Sequence, residues 1–300
     1  MRWRATCACV VLAIALVLVA CTGPRQVRPS AAPPVSSSRH APAGFTVVAS
    51  GDILVHPAVT AQAEADGGGR RDYDRILAGV APVVSSADLA ICHLETPIAP
   101  AGGPFHGYPT FSVPPEIATA IAHTGYDTCS TASNHTLDEG AAGVRRTLDA
   151  LDRAGVAHTG SARSAAEAAR PLILRANGVK VAQLSYTFGF NGIALPPGKP
   201  WLANEIDPVR IIHAARRARA AGAQVVIVSM HWGTEDQHKV TAQQRRLAHR
   251  LLADGSIDLI VGCHAHVVQP FARIDGKWVA YGMGNLVARH DEPLGSTEEG

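Results

Sequence analysis

Two histidines, His264 and His266, stand two residues apart in the stretch IDLIVGCHAHV at residues 257–267. Spaced this way just past an apolar run, both imidazoles can face one cavity and ligate a metal ion. An isolated H-x-H is more often a pair of surface loop residues. Here the layout recurs, with apolar runs leading into Asp52 and His56 (residues 45–56), His93 and Glu95 (87–95), Asn134 and His135 (126–135), and His231 (225–233). Carboxylate, carboxamide oxygen and imidazole together suit borderline divalent ions such as Mn, Fe or Zn.

The elements that must position these side chains are short, β-branched runs, which read as buried strands. Their C-terminal ends collect at one edge of an α/β sheet, where ligands bind. Gly262 is expected to turn the backbone at the end of its strand. Helices are expected over 57–65, 73–86, 115–123, 139–154, 207–222 and 241–252. Asp207-Pro208 reads as an N-cap followed by Pro at the first helical position, and Gly155 as a C-cap. Further strands are expected at 127–132, 156–160 and 179–186. Asp275-Gly276 reads as a hairpin turn between 271–274 and 278–281. Residues 96–114 and 188–201 read as long loops, the first carrying aromatics at the rim of the site. Strands alternating with helices give an α/β fold with mixed strand direction.

With 47% hydrophobic and 17% charged residues the chain has ample core, and a formal charge of +2 with no basic block gives no electrostatic support for nucleic-acid binding. Residues 1–20 read as a targeting segment: a basic start, an apolar stretch over 7–20, and Leu18-Val19-Ala20-Cys21, similar to a bacterial lipoprotein signal with Cys21 as the lipidated residue. An ordinary secretory signal or an uncleaved anchor are the alternatives, and all three send the chain out of the cytoplasm. Residues 21–43, rich in Pro, Ser, Arg and Ala, read as a disordered tether, followed by one domain over 44–300. Cys92, Cys129 and Cys263 then remain; they read as small buried hydrophobes, with one disulfide open among them. The polar ending GSTEEG offers no element to close the fold, so the chain reads as incomplete at its C-terminus.

The ordered series GDILVH, ADLAICHLETPI, STASNHTLDEGAAGVRRTLDALDRAG, VIVSMHWG, GCHAHVVQP and YGMGNLV resembles the CapA family of poly-γ-glutamate capsule biosynthesis proteins, over roughly residues 45–287. That family is similar to calcineurin-like metallophosphoesterases. The resemblance implies a four-layer metallophosphatase-like sandwich of mixed sheets flanked by helices, holding two divalent metal ions. It implies Asp52 as the first acidic ligand, His56 as its partner (D-x-x-x-H in place of D-x-H), and Glu95 as the bridging carboxylate (HLE in place of Gly-Asp). It implies Asn134 as a ligand, His135 as the group that protonates a leaving group, His231 and His264 on the second metal, and His266 on the first. His93, where the family usually has Asn, reads as either an extra ligand or a polar loop residue, the second being preferred. Asp138 and Glu139 read as acidic residues of the next helix's first turn, though either could orient an imidazole.

Two functions follow. One is a metal-dependent hydrolase of a surface lipoprotein, phosphoesterase- or amidase-like, acting in synthesis, export or anchoring of a poly-glutamate/glutamine-like capsule or cell-wall polymer. The other is a non-catalytic metal-binding accessory protein of the same pathway. The expected partners are the anionic polymer or cell wall, the membrane through a lipid anchor, and capsule synthesis proteins. A solute-binding lipoprotein would need two similar lobes, and the sequence shows no duplication.

Overall fold

The β-branched runs form strands whose two faces are both covered. A computed structural model describes residues 44–289. The targeting segment 1–20, Cys21, the tether 21–43 and the tail 290–300 lie outside the described residues. In chain order the elements are β1 (Val47–Ile53), α1 (Pro57–Asp66), α2 (Asp74–Leu77), α3 (Ala81–Val84), β2 (Leu89–Leu94), α4 (Glu116–Thr124), β3 (Thr128–Ser130), α5 (Gly140–Ala154), β4 (Ala157–Thr159), α6 (Ala165–Ala168), β5 (Leu172–Ala176), β6 (Val179–Thr187), α7 (Pro208–Ala220), β7 (Val225–His231), α8 (Ala242–Leu252), β8 (Leu259–Cys263), β9 (Phe271–Ile274), β10 (Lys277–Ala280) and β11 (Asn285–Val287).

The strands form two sheets among the described residues. The first, in the order β11-β1-β2-β3-β4, is parallel throughout. The second runs β5-β6-β7-β8-β10-β9, parallel at its centre, with β5 and β9 antiparallel at its edges. Side chains alternate along each strand and so feed two different cores. In β2, Leu89 and Ile91 join Val181, Ile227 and Val261 between the sheets, while Ala90, Cys92 and Leu94 pack with Ile117, Ile121 and Leu151 of the helices. In β7, Ile227 faces the other sheet, while Val226 and Val228 pack with Ile211, Ala215 and Leu251. Helix, sheet, sheet, helix is the four-layer arrangement expected.

Several local expectations change. The apolar stripe over 73–86 is two short helices, α2 and α3, with Gly79 between them; Gly is a poor helix former. Elements α6, β5 and β11 come in addition to those expected. Gly262 lies within β8 and has no positive φ. A Cβ there would sit 2.0 Å from the Tyr281 carbonyl oxygen and 2.6 Å from the Trp232 indole nitrogen, so Gly262 serves close packing rather than a turn. The turn is made instead by His264 (φ 92°) and His266 (φ 55°), both in the left-handed region that side chains with a Cβ rarely adopt. The hairpin residues Asp275 (φ 48°) and Gly276 (φ 82°) are as expected. Helix α7 is capped by the Asp207 carboxylate, which accepts from the Val209 and Arg210 amides, and α8 by a Thr241/Gln244 capping box. Cys92 and Cys129, directly opposite each other on β2 and β3, form a disulfide, while Cys263 is a buried free thiol.

Candidate metal centre

The alternation that fills the inter-sheet core also aims the site. Continuing Leu89, Ile91 along β2 puts His93 on the inner face; continuing Val225, Ile227, Ser229 along β7 puts His231 on the facing inner face. The two imidazoles stack with centroids 4.8 Å apart. In β1 the register with β2 shifts between Ala49 and Asp52. Val47 and Ala49 face the other sheet before the irregularity, and Ile53 packs toward the helices after it, so Asp52 is turned inward. Irregularities of this kind commonly re-aim a side chain beside a site. His93 is therefore a strand residue in the centre of the site, not a polar loop residue.

Glu95 follows β2, Asn134 and His135 follow β3, and His264 and His266 follow β8. Asp52 Oδ1 lies 3.6 Å from His93 Nε2 and 3.8 Å from His231 Nδ1. Asp52 Oδ2 lies 3.4 Å from His266 Nδ1 and accepts from the His264 amide at 3.1 Å. Glu95 Oε1 is 3.8 Å from His231 Nε2 and 3.9 Å from His266 Nε2. Three trios, Asp52/His93/His231, Asp52/Glu95/His266 and Glu235/His264/His266, each bring donor atoms within 4.8 Å of one another. Asn134 joins through its Oδ1, which accepts from His231 Nε2 at 2.8 Å.

The donor atoms fit a cation. Six of them (Asp52 Oδ1, His93 Nε2, both Glu95 carboxylate oxygens, His231 Nδ1 and His264 Nδ1) are buried with no hydrogen-bond partner among the described residues. Buried polar atoms are ordinarily satisfied, and unsatisfied ones that converge mark an ion's place. Titration points the same way. Burial opposes ionisation of Asp52, but the His266 hydrogen bond and charge outweigh it and hold the carboxyl below its ordinary value. Burial and repulsion from Asp52 push Glu95 well above its own. Burial, then the neighbouring imidazoles, push His231 far down and His264 to about 3, so both are neutral ligands. Burial would also lower His266, yet Glu95 and Asp52 raise it to about 10. Two carboxylates thus draw the nearest available positive charge.

Beside this cluster, His135 Nδ1 donates to Asp138 Oδ2 at 2.7 Å. The same oxygen accepts from the Phe111 amide at 2.7 Å. Asp138 therefore orients His135, and does not act merely as a first-turn acid of α5. Glu139 instead pairs with Arg146 at 2.8 Å. His135 N–H is held by Ser133 Oγ, which itself donates to the Glu95 carbonyl at 2.6 Å. The Phe111 ring sits edge-on to His135 at 4.7 Å and to His56 at 5.4 Å. His56 caps α1, its Nδ1 accepts from the Arg289 amide at 3.4 Å, and it lies outside the three trios. Asp52, Glu95, Asn134, His231, His264 and His266 are brought together, and His56 stands against Phe111.

His93, named from the sequence beside Glu95, and three residues that were not named as candidates also meet the site. His93 shares a trio, Glu235 sits 3.9 Å from His264 Nδ1 at the solvent side, Phe188 covers His264 at 4.4 Å, and Asn285 accepts from His266 Nδ1 at 2.8 Å. Asn285 follows the Gly-rich stretch 282–284, the one cue near it. Nothing in the local pattern singles out Glu235 or Phe188.

Residues 46–290 match the family model described as bacterial capsule synthesis protein PGA_cap. The chain is 27% identical over 285 residues to the capsule biosynthesis protein CapA of Bacillus anthracis, covering 91% of this chain and 66% of that protein. It is 27% identical over 245 residues to the PGA biosynthesis protein CapA of Bacillus subtilis, covering 79% and 61%. A Mycobacterium tuberculosis protein named "Probable polyglutamine synthesis accessory protein" is 28% identical over 214 residues, covering 68% and 56%. The chain thus spans just under two thirds of the length of the first two relatives. Among solved structures, Haemophilus influenzae NAD nucleotidase aligns at 12% identity with a TM-score of 0.47, over 71% of this chain and 39% of that one. A calcineurin-like phosphoesterase from Bacillus subtilis aligns at 14% identity and TM-score 0.42, over 78% and 87%.

Proposed function

Because the chain belongs to the bacterial capsule synthesis protein PGA_cap family, we propose that it acts in making or attaching a poly-glutamate-type surface polymer, as a hydrolase carrying two divalent metal ions. The observation that carries this reading is the set of six converging, unpartnered donor atoms beside an oriented imidazole. Asp52, His93 and His231 would hold one ion, and Asp52, Glu95 and His266 the other, with Asn134 and His264 completing the set. Such ions supply an activated water and a clamp on a phosphoryl or acyl oxygen.

The chain's own residues supply the rest. Asp138 fixes His135 Nδ1, so the proton at His135 Nε2 is the one delivered to a leaving group. Phe111 packs against the same ring and keeps it from turning away. Phe188, tilted over His264 and parallel to His231, covers the solvent side of the imidazole set. In the metal-loaded full chain, His135→Asn is expected to keep wild-type metal content and to lower hydrolysis of phosphoester or γ-glutamyl test substrates by about 10²–10⁴-fold. Unchanged turnover in that variant removes His135 from the reaction.

The second reading, a metal-binding accessory protein without turnover, draws support from the name of the mycobacterial relative. It predicts that polymer output in cells survives His135→Asn but not loss of Asp52. We also propose that Cys21 is lipidated and holds the domain at the outer face of the membrane. Cys21→Ser should move the protein to the soluble fraction; retention in the membrane fraction counts against it.

A further inference from the structure

We infer that Asn285, carried by the last described strand, is the positioning residue that presents His266 to the metal. This rests on the metal-binding reading above. Strand β11 is three residues long and sits at the edge of the first sheet, with Val287 in the helix-side core and Leu286 packed against it. Its backbone is also tightly held. Asp52 N donates to the Gly284 carbonyl at 2.9 Å, and Leu54 N to the Val287 carbonyl at 2.8 Å. Asn285 lies directly opposite Asp52 in the ladder and is 3% exposed. Gly51 makes this approach feasible, since a Cβ there would fall 2.0 Å from the Gly284 carbonyl oxygen.

The amide oxygen of Asn285 accepts from His266 Nδ1 at 2.8 Å, shorter than the 3.4 Å from the same nitrogen to Asp52 Oδ2. Histidines that bind metals commonly give their other N–H to an oxygen acceptor, which fixes tautomer and ring direction. With Nδ1 committed to Asn285, Nε2 is the nitrogen left to coordinate, and it points toward Glu95. The bond also steadies a residue that sits at φ 55°. The inward face of β11 thus acts through His266 rather than touching substrate.

Metal affinity of the full chain decides the matter, read by chelator competition with Mn or Zn alongside a thermal midpoint without metal. Asn285→Leu is expected to weaken binding by roughly 10–100-fold, whereas Asn285→Asp, which keeps an acceptor oxygen, is expected to stay within a few-fold of wild type. Equal loss in both variants, or wild-type affinity in Asn285→Leu, overturns the inference. If Asn285→Leu does not fold, selective ¹⁵N-histidine spectra of the cadmium-loaded wild type answer instead. A protonated Nδ1 and a cadmium-coupled Nε2 on His266 support the assignment; the reverse pattern ends it. A wild-type chain that takes up no metal overturns the metal reading itself, and this inference with it. A loaded wild type with an insensitive Asn285 overturns only the inference.

Discussion

The two sheets make unequal contributions to the centre. The first gives both carboxylates and the carboxamide, with Asp52 and His93 embedded in strands and their backbone in ladder hydrogen bonds. The second gives three imidazoles, two of them beyond β8 on left-handed backbone, with the Glu235 carboxylate at the solvent side. Two buried carboxylates thus come from the first sheet, and two imidazoles of the second are hung on a turn. A cation placed between them binds charge on one wall and directional lone pairs on the other.

Removing each wall in turn should expose the asymmetry. Asp52→Ala takes away the carboxylate shared by two trios, so metal affinity is expected to fall further than the roughly 10–100-fold typical of losing an outer-shell partner. His264→Ala removes one neutral ligand and should cost clearly less. Equal losses by chelator competition would erase the distinction between the walls.

A smaller effect separates the two imidazoles of the turn by pH. In the metal-free protein His264 is lowered to about 3, so the unfolded chain binds a proton that the fold excludes. That contribution is complete above pH about 6.5, the ordinary histidine value, and is lost as pH falls toward 3. His266 is raised to about 10, so its contribution is complete below pH about 6.5 and is lost as pH rises toward 10. Denaturation midpoints of chelator-treated protein should therefore decline on both limbs. His264→Gln should flatten the acid limb, and His266→Gln the alkaline one. If either variant leaves its limb unchanged, that histidine is not its source.

Smallest is the backbone term. Position 264 holds φ 92°, so His264→Gly should be more stable without metal than His264→Ala by about 1 kcal/mol. Matching midpoints would mean the turn relaxes when the imidazole is gone.

Much of this was legible in the sequence because it depends on local periodicity. The apolar runs announced the strands, and the side chains that follow them announced Glu95, Asn134, His135, His231, His264 and His266. What escaped depends on register between distant segments. His93 and Asp52 were named from the sequence, but their inward direction was not: His93 falls inward because β2 and β7 alternate in phase across two sheets, and Asp52 because β1 is irregular at one point. Asp138 orients His135 through a contact shared with Phe111, twenty-seven residues earlier. Asn285 meets His266 only once β11 pairs with β1. The Cys92–Cys129 bond likewise needs β2 and β3 side by side. Strand β5 was missed because Leu172–Ala176 is mostly half-buried at a sheet edge and lacks a strong alternation.

The two glycines that let backbones touch, Gly51 against Gly284 and Gly262 against Tyr281, bear on how this domain tolerates change. Both contacts are made to carbonyl oxygens of the main chain, which no neighbouring substitution can shorten or remove. A variant library aimed at new substrates would gain nothing from sampling these positions. Its diversity belongs instead at the exposed Phe188 beside His264; Phe188 lies past the end of β6, the strand that carries the neighbour of His231.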